Sequence, residues 1–192
     1  MVSVNIGVFG SNPVERQKAC SSLGKKGAPA DITFFDNVFG GLLLSVIEPT
    51  AYPERLQPAL FAAQICDYPV LLASEVNQYL GELIVLLDLT GKPGAIIGDL
   101  DVTQFTKGTN LENWKKFKSV DEFRASLVEY KQEVKSGEFK AWVDHSFDVK
   151  GVGSVALGVV KSGEMSVHDK LKVFPSKEKM IEVRSIQMHD AD

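Results

Sequence analysis

The residues with the most chemical potential lie near the N-terminus. There the run Val2-Ser3-Val4-Asn5-Ile6-Gly7-Val8-Phe9-Gly10 leads into Ser11-Asn12-Pro13. A buried strand that turns through glycine into a helix is where backbone N–H groups face a phosphate chain, with a Lys to meet the phosphate charge and a Ser or Thr to hold Mg²⁺. Gly10 supplies the first glycine. Glu15 stands where a second would be, Arg16 where the Lys would be and Gln17 where the hydroxyl would be. Pro13 removes one N–H donor. A carboxylate at Glu15 repels a phosphate chain unless a cation lies between them. These residues therefore do not predict ordinary nucleotide binding, although Arg16 has the chemistry to bind phosphate.

Other candidates are weaker. His145, His168 and His189 share no metal-ligand spacing and read as turn or surface polars. Cys20 and Cys66 lack an activating motif and read as small buried hydrophobes. Gly153-Ser154-Val155 does not make a nucleophile elbow. Tyr52 and Tyr79 could stack on a ligand, with ordinary packing as the alternative; Trp114 and Trp142 read as core or boundary aromatics. Lys115, Lys116 and Lys118, and the cluster Lys170, Lys172, Lys177 and Lys179, could touch phosphate or simply form solvated faces.

The elements that must position these residues follow from hydrophobic spacing. Val14 to Leu23 fits a helix with Val14, Ala19, Cys20 and Leu23 on its apolar side, and Lys25 to Asp31 reads as a loop. Ile32–Phe35, Gly41–Ile47, Val70–Ala73 and Ala95–Ile97 are strand-length apolar runs. Glu54 to Ile65 is expected to be helical, with Leu56, Leu60, Phe61 and Ile65 at helical spacing; Gln78 to Leu89 and the charged stretch Lys115 to Lys135 are expected helices too. The alternation predicts an α/β domain with a mostly parallel sheet flanked by helices over residues 1–136. From residue 137 to 192, short strands punctuated by Gly151, Gly153, Gly158 and Gly163 predict an all-β unit, a barrel.

Composition narrows the classes. The 192 residues are 44% hydrophobic and 24% charged, as in a globular protein. A formal net charge of −4 does not suit a general nucleic-acid coat, and DNA is not an expected partner. The longest apolar runs, Gly40–Ile47 and Leu83–Leu87, are far short of a membrane span, and Met1-Val2-Ser3-Val4 begins no signal peptide. The expected location is the cytoplasm, with no membrane partner.

Residues 142–190 carry a resemblance. Val143-Asp144-His145-Ser146-Phe147-Asp148-Val149-Lys150-Gly151-Val152-Gly153-Ser154-Val155 and Leu157-Gly158 resemble the start of the second domain of EF-Tu-type translation factors, in the archaeal SelB-like branch. Val160-Lys161-Ser162-Gly163, Val167-His168-Asp169-Lys170-Leu171 and Val183-Arg184-Ser185-Ile186-Gln187-Met188-His189-Asp190 continue it. Val4 to Gly10 resembles the first strand and phosphate-loop start of the same family's GTPase domain. Val46-Ile47-Glu48-Pro49-Thr50-Ala51-Tyr52 occupies the place of its Asp-x-Pro-Gly-His segment, so that Glu48 stands for the Mg²⁺-side Asp and Tyr52 for the His that positions water. Gly98-Asp99-Leu100-Asp101 stands at its guanine motif, where only Asp101 matches. No clear switch threonine lies between Ala28 and Gly41.

The resemblance implies a P-loop-GTPase-like α/β domain followed by an incomplete β-barrel, since residues 137–192 are too few to close the family's barrel. It implies aminoacyl-tRNA and the ribosome as partners. It also implies a vestigial nucleotide pocket of Gly10, Arg16, Gln17, Glu48 and Asp101, no catalytic residue at Tyr52 and no metal, because charge neutralisation, Mg²⁺ anchoring and water placement are lost together. No cofactor is expected; GTP or GDP with Mg²⁺ would bind only if Arg16 and Asp101 rebuild the pocket. A working GTPase with unusual chemistry and a protein-interaction module remain the alternatives.

Overall fold

The computed structural model describes residues 2–129, 137–176 and 179–187. The chain falls into two compact units, residues 1–132 and 133–192.

The first unit is built in the order β1 (Val2–Gly10), α1 (Pro13–Leu23), β2 (Lys25–Lys26), β3 (Thr33–Phe39), β4 (Leu42–Glu48), α2 (Gln57–Ile65), β5 (Tyr68–Leu72), α3 (Gln78–Leu89), β6 (Ala95–Ile97), α4 (Thr103–Thr106), β7 (Lys115–Phe117) and α5 (Val120–Ser126). One seven-stranded sheet runs β2-β3-β4-β1-β5-β6-β7. From β4 to β7 all neighbours are parallel, and β3 and β2 add an antiparallel margin. This is the mostly parallel, helix-flanked sheet that the alternation of elements implies.

β1 lies between β4 and β5, with Ile6 opposite both Val46 and Tyr68. Its side chains alternate between two cores. Val4, Ile6 and Val8 join Cys20, Leu23, Phe35 and Phe123, while Phe9 joins Tyr52, Leu83, Leu87 and Trp114. Gly7 is required here: a Cβ on it would lie 2.7 Å from the Phe9 ring and 2.9 Å from Cys66 Cβ.

Several expectations change. α1 buries Arg16 with Ala19, Cys20 and Leu23, while Val14, expected on the apolar side, is 74% exposed. α2 buries Pro58, Ala59, Ala62 and Ala63 and exposes Leu56, Leu60 and Phe61. Its alanines pack into the core beside Phe9 and Leu83, and that packing outweighs the pull of the larger side chains. The stretch expected as a helix from Lys115 opens instead as the edge strand β7, before Ser119 caps α5 by accepting from the Glu122 amide at 3.2 Å. Its continuation over 130–136 lies outside the described residues. Lys25-Lys26, expected in a loop, forms the opposite edge strand β2. Both margins of the sheet thus carry exposed lysine pairs, a device that discourages edge-to-edge pairing.

The second unit holds two antiparallel pairs. β8 (Lys140–Val149) pairs with β9 (Gly153–Ser162), and β10 (Lys170–Lys172) pairs with β11 (Met180–Glu182). Gly151 (φ 86°) and Gly153 (φ 108°) supply the left-handed backbone of the first turn. No helix occurs among the described residues of this unit. Trp142, expected as core or boundary, is 51% exposed, whereas Trp114 is buried in the first unit.

Candidate functional site

The loop after β1 is organised by Asn12. Its side-chain oxygen accepts from the amides of Val14 (2.9 Å) and Glu15 (3.3 Å), and its carbonyl accepts from the Arg16 amide (3.1 Å). Pro13 has no N–H. The amides at the start of α1, the donors a phosphate would need, are therefore already satisfied within the chain.

Arg16 projects inward. It is fully buried; Nη1 donates to the Gly10 carbonyl at 2.6 Å and Nη2 to the Tyr52 carbonyl at 2.5 Å. Its Nε lies 3.7 Å from Glu48 Oε1, beyond hydrogen-bond range, and Arg16 Nε and Glu48 Oε2 have no hydrogen-bond partner. At that separation the attraction is about 4 kcal/mol in an effective dielectric of about 20. Desolvating the two charges costs several kcal/mol for each ion, so the attraction alone does not offset their burial. The two carbonyl hydrogen bonds make the site favourable. Burial pushes the Arg16 guanidinium down from its ordinary value, and Glu48 opposes that. Burial likewise pushes the Glu48 carboxyl up, against Arg16 and Lys26.

Tyr52 is a packing residue. Its ring meets Tyr79 edge-on at 6.1 Å, and its hydroxyl donates to the Tyr79 carbonyl at 3.2 Å. The Arg16 guanidinium carbon lies 5.8 Å from the centre of its ring. Burial, with Glu82 nearby, raises the Tyr52 phenol far above its ordinary value.

The structure thus brings Gly10, Arg16, Glu48 and Tyr52 together and leaves two expected residues apart. Gln17 is exposed. Asp101 accepts from the Thr103 amide at 3.0 Å at the start of α4, and these bonds hold its carboxyl below the usual range. A separate cleft of about 510 Å³ opens beside α1 at the ends of β5 and β6, with Glu15, Lys18, Ser22, Asp99, Lys118 and Asp121 among its walls. Asp99 rather than Asp101 faces it. Gly98 turns the chain there at φ 139°, with a Cβ position only 2.2 Å from the Ala73 carbonyl oxygen. Lys118 belongs to the lysine cluster that the sequence offers for phosphate contact, and Asp99 to the stretch at the place of the guanine motif, where Asp101 is the expected match.

His145 and His168 are exposed, and His189 and Lys177 lie outside the described residues. Cys20 and Cys66 are buried, and burial raises the Cys20 thiol far above its ordinary value, as an inert cysteine requires. Among the described residues no group of three or more His, Cys, Asp or Glu is placed to hold a metal ion, and no helix is long and apolar enough to cross a membrane.

No family model matches the chain. A protein of Methanocaldococcus jannaschii described as uncharacterized is 34% identical over 200 residues, spanning all of this chain and 63% of that relative. The selenocysteine-specific elongation factor of the same archaeon is 24% identical over 237 residues, spanning all of this chain and 50% of the factor. The crystal structure of the elongation factor SelB from Methanococcus maripaludis with the GTP analogue GppNHp superposes with a TM-score of 0.80 at 20% identity, over 99% of this chain and 48% of that one. The fold is that of SelB. The chain spans about half to two thirds of the length of the curated relatives it matches. The SelB structure holds a GTP analogue; in this SelB-like fold, the α1 amides are bonded to Asn12 and the Arg16 side chain is turned into the core.

Proposed function

We propose that the chain is a SelB-like translation elongation factor homologue that binds aminoacyl-tRNA, the ribosome or both with little or no GTP hydrolysis, and that it works in the cytoplasm. The α/β unit is then a scaffold and the β unit contributes to RNA contact. Within the branch, the resemblance is to the SelB-like factor of methanogens called EF-Pyl. The similarity to SelB supports the translation role by analogy of fold. The observation that carries the nucleotide-independent part is the burial of Arg16 against the Gly10 and Tyr52 carbonyls.

With Arg16 turned inward, no lysine or arginine at the head of α1 faces an incoming phosphate chain, and Glu15 adds a negative charge beside it. Tyr52 offers no imidazole base to take a proton from a water, and its buried ring directs its hydroxyl to the Tyr79 carbonyl. No cofactor is required by this reading.

Titration calorimetry with GDP, GTP and a GTP analogue, with and without Mg²⁺, tests the first half. No heat at millimolar ligand is expected; micromolar Mg²⁺-dependent binding would restore a nucleotide-switched factor. Binding to aminoacyl-tRNA at low salt, where phosphate contacts are strongest, tests the second half. Absence of tRNA binding together with capture of a defined protein partner would favour an interaction module. The exposure of Leu60 and Phe61 on α2 favours that second reading.

A further inference from the structure

We propose that Arg16 is a permanent internal ligand that joins the end of β1 to the segment between β4 and α2, and so holds residues 49–56 in one arrangement with no bound anion or nucleotide. This deepens the nucleotide-independent part of the function above and rests on it.

The joint is a single planar fork. One guanidinium amine meets the carbonyl of Gly10, the last residue of β1; the other meets the carbonyl of Tyr52, between β4 and α2. The two carbonyls belong to separate elements, so both bonds form only in one relative placement of them. Arg suits this because its donors are fixed in a plane, whereas an ammonium is a compact point charge without that geometry. Glu48, the last residue of β4, lines the same buried space and adds charge complementarity without a hydrogen bond.

The rest of the segment is tied on its other flank. The Ala51 amide donates to the Asp31 carbonyl at 3.1 Å, Thr50 bonds Thr33 through their hydroxyls at 2.7 Å, and Arg55 pairs with Asp31. Within the segment the Tyr52 amide bonds the Pro49 carbonyl and the Arg55 amide bonds the Ala51 carbonyl. Arg16 is the tie between this segment and the end of β1. A cation bound covalently to the chain is never released, so the arrangement it enforces does not depend on ligand concentration, unlike one held by a dissociable group.

Hydrogen exchange of the 192-residue chain tests this, read at the amides of Ala51, Tyr52 and Arg55 with Val70 and Leu71 of β5 as internal references. In the native sequence, GDP or a GTP analogue with Mg²⁺, or inorganic phosphate, should leave the three amides unchanged within about twofold. Arg16→Ala should speed these three amides about tenfold or more beyond whatever rise the β5 amides show, since the β5 amides report the global loss of stability. Millimolar guanidinium, but not sodium chloride at equal ionic strength, should slow them again by refilling the space.

Slowing of these amides by nucleotide in the native chain overturns the proposal. So does an Arg16→Ala chain with unchanged exchange, or one whose exchange rises uniformly across the sheet. If Arg16→Ala does not fold, Arg16→Lys decides: selective acceleration at the three amides supports the fork, and uniform or absent acceleration rejects it. Calorimetric nucleotide binding removes the functional reading beneath the proposal. An unaltered Arg16→Ala exchange pattern, with no nucleotide binding, removes the proposal alone.

Discussion

Arg16 Nη2 lies 2.5 Å from the carbonyl oxygen of Tyr52, a residue 36 positions further along the chain. Two positions that the family resemblance assigns to phosphate charge and to water placement are thus bonded to each other. The arginine is consumed by the fold, and the tyrosine is consumed by the core.

Removal of Arg16 should be costly. Arg16→Met leaves Glu48 buried without a cation and two carbonyls without their donor. A loss of about 3–5 kcal/mol is expected. Adding Glu48→Gln should recover part of it, with a coupling of about 1–3 kcal/mol in a double-mutant cycle. Urea denaturation at constant m-value measures this. A single-variant cost below about 1 kcal/mol would show that the guanidinium is not the buried group described here.

The Glu48 carboxyl carries a pH signature. Its folded value is raised above the ordinary 4.5 by burial, so the folded protein holds this proton more tightly than the unfolded chain does. The resulting stabilisation is complete below the unfolded value and is lost as pH rises through the folded value. The stability of the native sequence relative to Glu48→Gln should therefore fall as pH rises from about 4.5. Denaturation of both chains across that range reads the slope; a difference independent of pH would place the carboxyl in water, and one that rises with pH would place it in a full ion pair.

The two faces of α2 should respond in opposite ways to their hydrophobicity. Phe61 is 58% exposed, and Phe61→Ser should change stability by no more than about 0.5 kcal/mol. Ala62 is fully buried, and Ala62→Leu should cost about 1–3 kcal/mol through overpacking. Thermal melts of the two variants compare them directly. The reverse ranking would restore the face expected from side-chain size.

The lysine pairs at the sheet margins should govern association. Lys25→Thr with Lys26→Val, or Lys115→Val with Lys116→Thr, exposes an uncharged edge while touching little of the core. Light scattering and gel filtration should show self-association at concentrations where the native chain stays monodisperse. Unchanged behaviour of both double variants would mean that something other than these charges blunts the edges.

Local pattern determined much of this protein. The apolar runs around Ile6, Val46, Val70 and Ile96 form the central strands, since strands buried on both faces must be apolar throughout. Gln78–Leu89 forms α3 with the bounds its period implies, and Asn77 caps it by accepting from the Leu80 amide at 2.9 Å. Residue identity alone also shows Arg16 and Gln17 at the places where the family resemblance expects a lysine and a hydroxyl.

Only the tertiary structure decided where Arg16 goes. An arginine on a short helix is expected in solvent; it is buried because the carbonyls of Gly10 and Tyr52 and the Glu48 carboxylate converge there from elements that are distant in sequence. The same holds for α2, which turns its alanines rather than its larger side chains into the core, and for Lys115-Lys116, which become a strand because β6 offers an open edge. Periodicity within one segment reports amphipathic preference. Convergence of groups from several segments is a property of the assembled fold, and no single segment encodes it.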